Sequence, residues 1–364
     1  MKIQDVIQYL ETLAPLDYAE SFDNVGLLVG NAQEPFRGAL ITLDTLEEVV
    51  EEAIQRDCNL IVSFHPIIFS GLKSLTGKTY VERAVIKAIE HHIAIYSLHT
   101  ALDNSFWGVN ARICDQLRLS ERKILLPQPH TIEQLITYVP SEHAQTLREK
   151  LFEAGGGNIG NYSHCSFNLQ GVGTYQGNLH SHPTIGERGV FQQQEETRIS
   201  IIFPKHLRTK MSQALFAHHP YEEVAYEILS LENEHQHIGL GMIGQLPTPM
   251  EEKDFLLYVK ERMQTSCIRH SPFLGKKIQK VAVLGGSGAS AIGACLKAGC
   301  DAYITADVKY HEFFKAEGRI LLADIGHYES EQFTKMLLWE QLTKKFPIFA
   351  FYLANTNTNP INYL

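Results

Sequence analysis

The feature that most constrains this chain is the alternation of short apolar runs with amphipathic stretches in its first and last thirds. GALITLD (38–44), NLIVSFH (59–65) and IAIYSLH (93–99) are dense in aliphatic residues and lack polar alternation. Short continuous runs of this kind read as strands buried on both faces. Between and after them lie LEEVVEEAIQRD, with Thr45 as its expected N-cap, VERAVIKAIEHH (81–92) and NARICDQLRL (110–119), whose apolar spacing is helical. Strands alternating with helices predict a largely parallel sheet covered on its faces. The last third returns to this rhythm. KKIQKVAVLGGSGASAIGACLKAGC reads as strand, glycine turn and small-residue helix, and DAYITAD (301–307) and GRILLADIGH (318–327) as strands. ESEQFTKMLLWEQLTKKF (329–346) reads as one long amphipathic helix. At the N-terminus, Ile3, Val6, Ile7 and Leu10 share one face of a further helix.

The rhythm changes after about Leu126. QPHTIEQLITYVPSEHAQTLREKLFEAGGG predicts strand, helix and glycine turn, and NYSHCSFNLQGVGTYQG alternates as a half-buried antiparallel strand would. TRISIIFPKHLRTKMSQALFAHHPYEEVAYEILSLEN repeats strand, helix, strand, and two β-α-β units in succession suggest a ferredoxin-like module. GLGMIGQL (239–246) reads as the return from it. The expected architecture is an α/β domain split into residues 1–128 and 239–364, with an α+β module at 129–238 inserted between the halves.

Composition narrows the function. A net charge of −9 gives no help at nucleic-acid phosphates, so nucleic acid is not the expected partner. The six cysteines are scattered with no C-x-x-C pair, which argues against a zinc knuckle and a disulfide framework. Reduced thiols, the absence of a signal-peptide core and the absence of a bilayer-length apolar run predict a cytoplasmic protein without a membrane partner.

Chemistry concentrates at strand ends. His65 follows NLIVSF, His99 and Asp103 follow IAIYSL, and His327 with Glu331 follow RILLADIG. Open α/β sheets bind ligands outside the carboxyl ends of their strands. Three such ends would bring these histidines and carboxylates into one crevice, and His327 and Glu331, four apart, share a helix face. Nitrogen and oxygen donors without thiolate suit zinc, manganese or iron, and a carboxylate can bridge two ions. His65, Asp103, His327 and Glu331 are the expected metal ligands, with Glu329 on the exposed side. His99 is weaker as a ligand and is expected to orient a neighbour or move protons; Asp307, Lys309 and His311 could reach the same crevice, His311 as an acid–base group. LGGSGAS (284–290) suits either an anion at a helix start or a tight packed turn. His218, His219, Glu222 and Glu223 read better as a turn with a solvated acidic face than as a metal cluster, and Asp23–Asn24 as a turn that positions Val25–Gly30.

SFDNVGLLVG, SFHPIIFSGLK, YSLHTALDN, VLGGSGAS, DAYITADVKYHE and DIGHYESE, in this order, resemble the GTP cyclohydrolase I type 2 homolog family, also called Nif-three-like, over nearly the whole chain. NIGNYSHCSF, GVGTYQ and HHPYEEVAYEI resemble the insert of its longer members. The resemblance implies an α/β fold, two divalent metal ions (Zn, Mn or Fe), a toroidal homohexamer and an insert like small trimeric ferredoxin-like proteins. It carries over His65, Asp103, His327 and Glu331 as ligands and implies hydrolysis of GTP or a related nucleotide. Where family members often have two adjacent histidines before the proline, this chain has Phe64 and His65, so one ion is expected to lack a ligand. That departure keeps a second reading open: a non-catalytic metal-binding or scaffold ring.

Overall fold

The computed structural model describes all of residues 1–364 and divides into two compact units, residues 1–127 with 237–364, and residues 128–236. None of its helices is long and apolar enough to cross a membrane.

The first unit holds two sheets. In one, Ala94–Ser97, Leu60–Ser63, Gly38–Thr42 and Ala350–Leu353 run parallel in that spatial order, and Gly26–Val29 closes the edge antiparallel to Ala94–Ser97. In the other, Leu321–Asp324, Ala302–Ala306 and Lys277–Ser287 are parallel. Gly239–Glu251 and Ser120–Pro127 extend this sheet antiparallel on one side, and Arg269–His270 on the other. Gly38–Thr42, Leu60–Ser63, Ala94–Ser97, Ala302–Ala306 and Leu321–Asp324 are buried on both faces, as their continuous apolar runs require. Leu60, Val62 and Phe64 join Val281, Val283, Ile304 and Leu321 in a core shared by the two sheets, and the N-terminal helix Ile3–Leu13 adds Ile3, Val6, Ile7 and Leu10 to it. Each such buried aliphatic side chain contributes about 1.5–3 kcal/mol over exposure. The alternate residues Leu40, Ile61 and Ile95 pack under the helices Glu47–Gln55 and Tyr80–Glu90.

Register places the chemistry. Ser63 lies opposite Ser97, so His65 and His99, each two residues beyond, leave their strands side by side, and the His99 backbone N–H donates to Phe64 O at 2.9 Å. In the second sheet Thr305 lies opposite Asp324, which brings Asp307 and His327 together just past the strand ends.

The second unit has one sheet, in the spatial order Phe167–Gln176, Phe191–Pro204, Ile132–Pro140, Tyr226–Leu231, every neighbour antiparallel. Helices Ala144–Glu153 and Arg208–His218 supply Leu147, Leu151, Met211 and Leu215 to a core with Leu135, Val139, Ile199, Ile201 and Phe203.

Four local expectations need correction. The helix expected over 329–346 is two, His327–Glu331 and Thr334–Lys345. The break falls where Gln332 turns its side chain to the Met263 carbonyl. Thr45 does not cap the helix at 47; Leu46 holds the N-cap position and the Thr45 hydroxyl is buried without a hydrogen bond. Phe167–Gln176 is exposed along most of its length, because it is an edge strand that contributes nothing to the core under the two helices. Glu329 is buried, and its Oε1 accepts from Asn359 Nδ2 at 3.3 Å in the C-terminal segment.

Candidate metal centre

The crevice is built from histidines whose backbones leave strand ends and whose Nδ1 atoms are tied down. His65 Nδ1 lies 2.8 Å from Asp44 Oδ1, and His327 Nδ1 lies 2.7 Å from Asp307 Oδ2. A carboxylate on Nδ1 fixes the ring and aims Nε2 outward, the arrangement of metal-ligating histidines. The two Nε2 atoms stand 3.4 Å apart, and Glu331 Oε2 lies 3.1 Å from that of His65 and 3.2 Å from that of His327. These three donor atoms fall within 4.8 Å of one another. Glu331 Oε2 is buried and has no aligned hydrogen bond despite the short contacts.

Asp103, at the end of the short helix His99–Asp103, stands outside that triad but in its field. It is buried, and its Oδ1 has no hydrogen-bond partner. Burial and then the Glu331 charge push its carboxyl well above the usual range, against the pull of His65 and His327. Burial also opposes charge at Glu331, but the bonds and charges of His327 and His65 outweigh it and hold that carboxyl low, at about 2. At His65 burial disfavours the imidazolium, yet Asp44 and Glu331 raise it to about 10; at His327 burial is again outweighed, by Glu331 and Asp307, and the value is about 9. A buried carboxylate oxygen shared by two oriented imidazole nitrogens, with the unpaired Asp103 Oδ1 buried in the same field, is a donor set that a divalent cation satisfies.

The third histidine repeats the device. His99 Nδ1 lies 2.7 Å from Asp23 Oδ1, while Asp23 Oδ2 accepts from the Thr100 backbone N–H at 3.1 Å and from the Thr100 hydroxyl. Its ring centroid is 5.3 Å from that of His65. His99 takes φ +28° and Asp307 φ +54°, left-handed conformations that non-glycine residues hold only under local compulsion. Phe64 is fully buried, its ring 4.9 Å from His65 and 5.7 Å from His99, so it backs both imidazoles with an apolar wall.

The glycine turn after the strand Lys277–Ser287 serves packing. Gly285 N–H donates to Asn110 Oδ1 at 3.0 Å and Gly286 N–H to Ser330 Oγ at 2.9 Å, so neither is free for an anion. Gly286 has φ +66°, and a Cβ there would collide with the Glu331 carboxylate.

The chain matches the family described as Duf34/NIF3 (NGG1p interacting factor 3) over residues 1–360. It belongs to that family. The GTP cyclohydrolase 1 type 2 homolog of Bacillus subtilis is 36% identical over 99% of this chain and 98% of its own length. That of Halalkalibacterium halodurans is 38% identical over 94% and 92%. The crystal structure of a Bacillus cereus protein related to NIF3 superposes with a TM-score of 0.87 at 34% identity, covering 100% of this chain and 99% of that one. The resemblance read from the motifs is thus borne out along the full chain.

Within this family fold, the expected site residues divide. His65, His327 and Glu331 come together, and Asp103 borders them. His311 does not join them: it is exposed and packs its ring on Tyr310 and Phe314 at 5.1 and 6.2 Å. His219 bonds locally, its Nε2 3.0 Å from Tyr138 O and its Nδ1 accepting from the Tyr221 N–H at 3.1 Å. The sequence pattern alone does not point to Asp44, and it gives Asp23 only as part of a turn. The one legible signal for Asp44 was its place just after the strand Gly38–Thr42, a strand end like those of the ligands.

Proposed function

We propose that this protein binds divalent metal through His65, His327, Glu331 and Asp103, and uses the centre to hydrolyse a nucleotide or related small molecule. The observation that carries the reading is the convergence of two carboxylate-oriented Nε2 atoms on one buried oxygen of Glu331. Asp103 supports a second ion: with it and His99 beside the triad, the donors exceed what one tetrahedral ion needs. A divalent ion held there supplies a Lewis acid and lowers the pKa of water. The chain's residues supply the rest. Asp44 and Asp307 hold the imidazoles, Glu331 would supply the carboxylate between them, and His99, fixed by Asp23, stands next to His65 to pass a proton.

For the second unit, the antiparallel order Phe167–Gln176, Phe191–Pro204, Ile132–Pro140, Tyr226–Leu231, with one helix in each β-α-β half, supports the ferredoxin-like reading. The homohexameric ring remains part of the proposal through the family resemblance, and the mass of the native protein by light scattering tests it.

Phe64 favours the other reading, a metal-binding or scaffold protein without turnover, because phenylalanine offers no ligand where a second ion needs one. Assay of the purified protein with GTP, with and without added manganese or zinc, separates the two. Metal-dependent turnover that increases in Phe64→His supports hydrolysis. No turnover in either form, with metal bound, supports the non-catalytic reading.

A further inference from the structure

A run of neighbouring aromatic rings links the metal centre to two that are exposed. The His99 ring lies 5.3 Å from that of His65, Phe69 lies 6.2 Å from His99, and Phe22 lies 6.5 Å from Phe69. The last two are large apolar side chains left in water, Phe22 65% and Phe69 51% exposed. Single exposed phenylalanines are ordinary, but two placed side by side at the rim of a polar crevice are not scattered surface. Each is also anchored. Phe22 precedes Asp23, which grips His99 and Thr100, and Phe69 follows Ile68, whose carbonyl accepts from Asn24 Nδ2. That bond joins the two loops that carry the rings, so the phenyls keep their spacing without a covering layer of their own.

We infer that Phe22 and Phe69 form a stacking platform for the planar heteroaromatic ring of a substrate whose charged end reaches the metal centre. The inference rests on the proposed metal centre and narrows its substrate to compounds with such a ring. The two phenyl planes are tilted 54° to each other, so a planar ring stacked face-on against one meets the other at an angle; aromatic side chains grip the faces of bases with little demand on their hydrogen-bonding edges. Stacking also gives the exposed phenyls a partner that arrives with the polar group the ligands hold, since the His99 ring neighbours both Phe69 and His65.

The test uses the full-length, zinc- or manganese-loaded protein and two probes, 2-aminopurine ribonucleoside triphosphate and inorganic tripolyphosphate. The expected result is tighter binding of the aminopurine compound, with quenching of its fluorescence. Phe22→Ala with Phe69→Ala should weaken it about tenfold, within the usual range for losing one stacked base. Tripolyphosphate affinity and metal content should stay unchanged, and Phe69→Tyr should keep most of the aminopurine affinity. Metal-loaded protein that binds both probes equally, or neither, overturns the platform while leaving the metal centre standing. Loss of both probes together in the double variant shows a structural role and also overturns it. So does a fall in native mass in that variant, which would mean that a second copy of the chain covers the rings. Protein that retains no metal refutes the centre itself, a result read separately from the stacking comparison.

Discussion

A histidine becomes a dependable ligand when something else holds its other nitrogen, and in this crevice three carboxylates do so. Asp44, Asp23 and Asp307 each sit on the Nδ1 of a different imidazole. The same contacts set a pH dependence. With no ion bound, Asp44 and Glu331 outweigh burial and raise His65 to about 10, and Glu331 and Asp307 do the same for His327, to about 9. Raised values mean that the stability lent by the charged rings is full below the ordinary histidine pKa and fades as pH climbs through about 9 to 10. An ion needs neutral imidazole, so its uptake must expel these protons, and affinity should rise between about pH 6 and about pH 9. Calorimetry at neutral pH in two buffers of different ionisation enthalpy should report about two protons released when the triad is filled. Flat affinity with no proton release would show that these rings are not ligands. His65 and the His327–Glu331 pair were legible because each follows an apolar strand, a local pattern. The carboxylates behind them were not, since the partners lie 21, 76 and 20 residues away and only the folded chain brings them together.

Among the elements, the segment after the last strand, Ala350–Leu353, has a larger part than its composition suggested. Its Asn355 and Thr356 backbone N–H groups bond to Glu52, and Asn359 reaches Glu329. Thr358, buried, donates from Oγ1 to Asp44 Oδ2 at 2.6 Å. A run from Thr358 through Asp44 and His65 thus ends at Glu331. Thr358→Ala should loosen Asp44 and weaken metal binding roughly tenfold or more, the scale of lost support behind a ligand. Thr358→Ser should restore most of it. Equal metal affinity in wild type and the alanine variant, by competition with a chelator, would show that the segment does not support the site. Strand and helix positions in the parallel region were readable because burial on both faces leaves an unbroken apolar run. NTNTNPINYL carries no periodicity, so its role depends on tertiary bonds alone. The strand Phe167–Gln176 shows the opposite failure: it alternates as a covered strand would, but lies at an edge.

At the scale of the whole molecule, the first unit is closed without the second. Pro127 and Gly239 are paired residues of neighbouring antiparallel strands, so the chain leaves and re-enters the unit at adjacent points of one sheet. Replacing residues 128–236 by a short glycine-containing turn should therefore leave a cooperatively melting protein that still takes up metal; an unfolded product would show that the division is not one of stability. The central claim is the centre formed by His65, His327 and Glu331, and equilibrium metal titration of wild type beside Glu331→Gln tests it most directly. Glutamine keeps the shape of the side chain and removes the charge from the oxygen on which both imidazoles converge. The account predicts saturable zinc or manganese binding in the wild type and at least a tenfold loss in the variant, with the circular dichroism spectrum unchanged. Equal stoichiometry and affinity in the two proteins would contradict it.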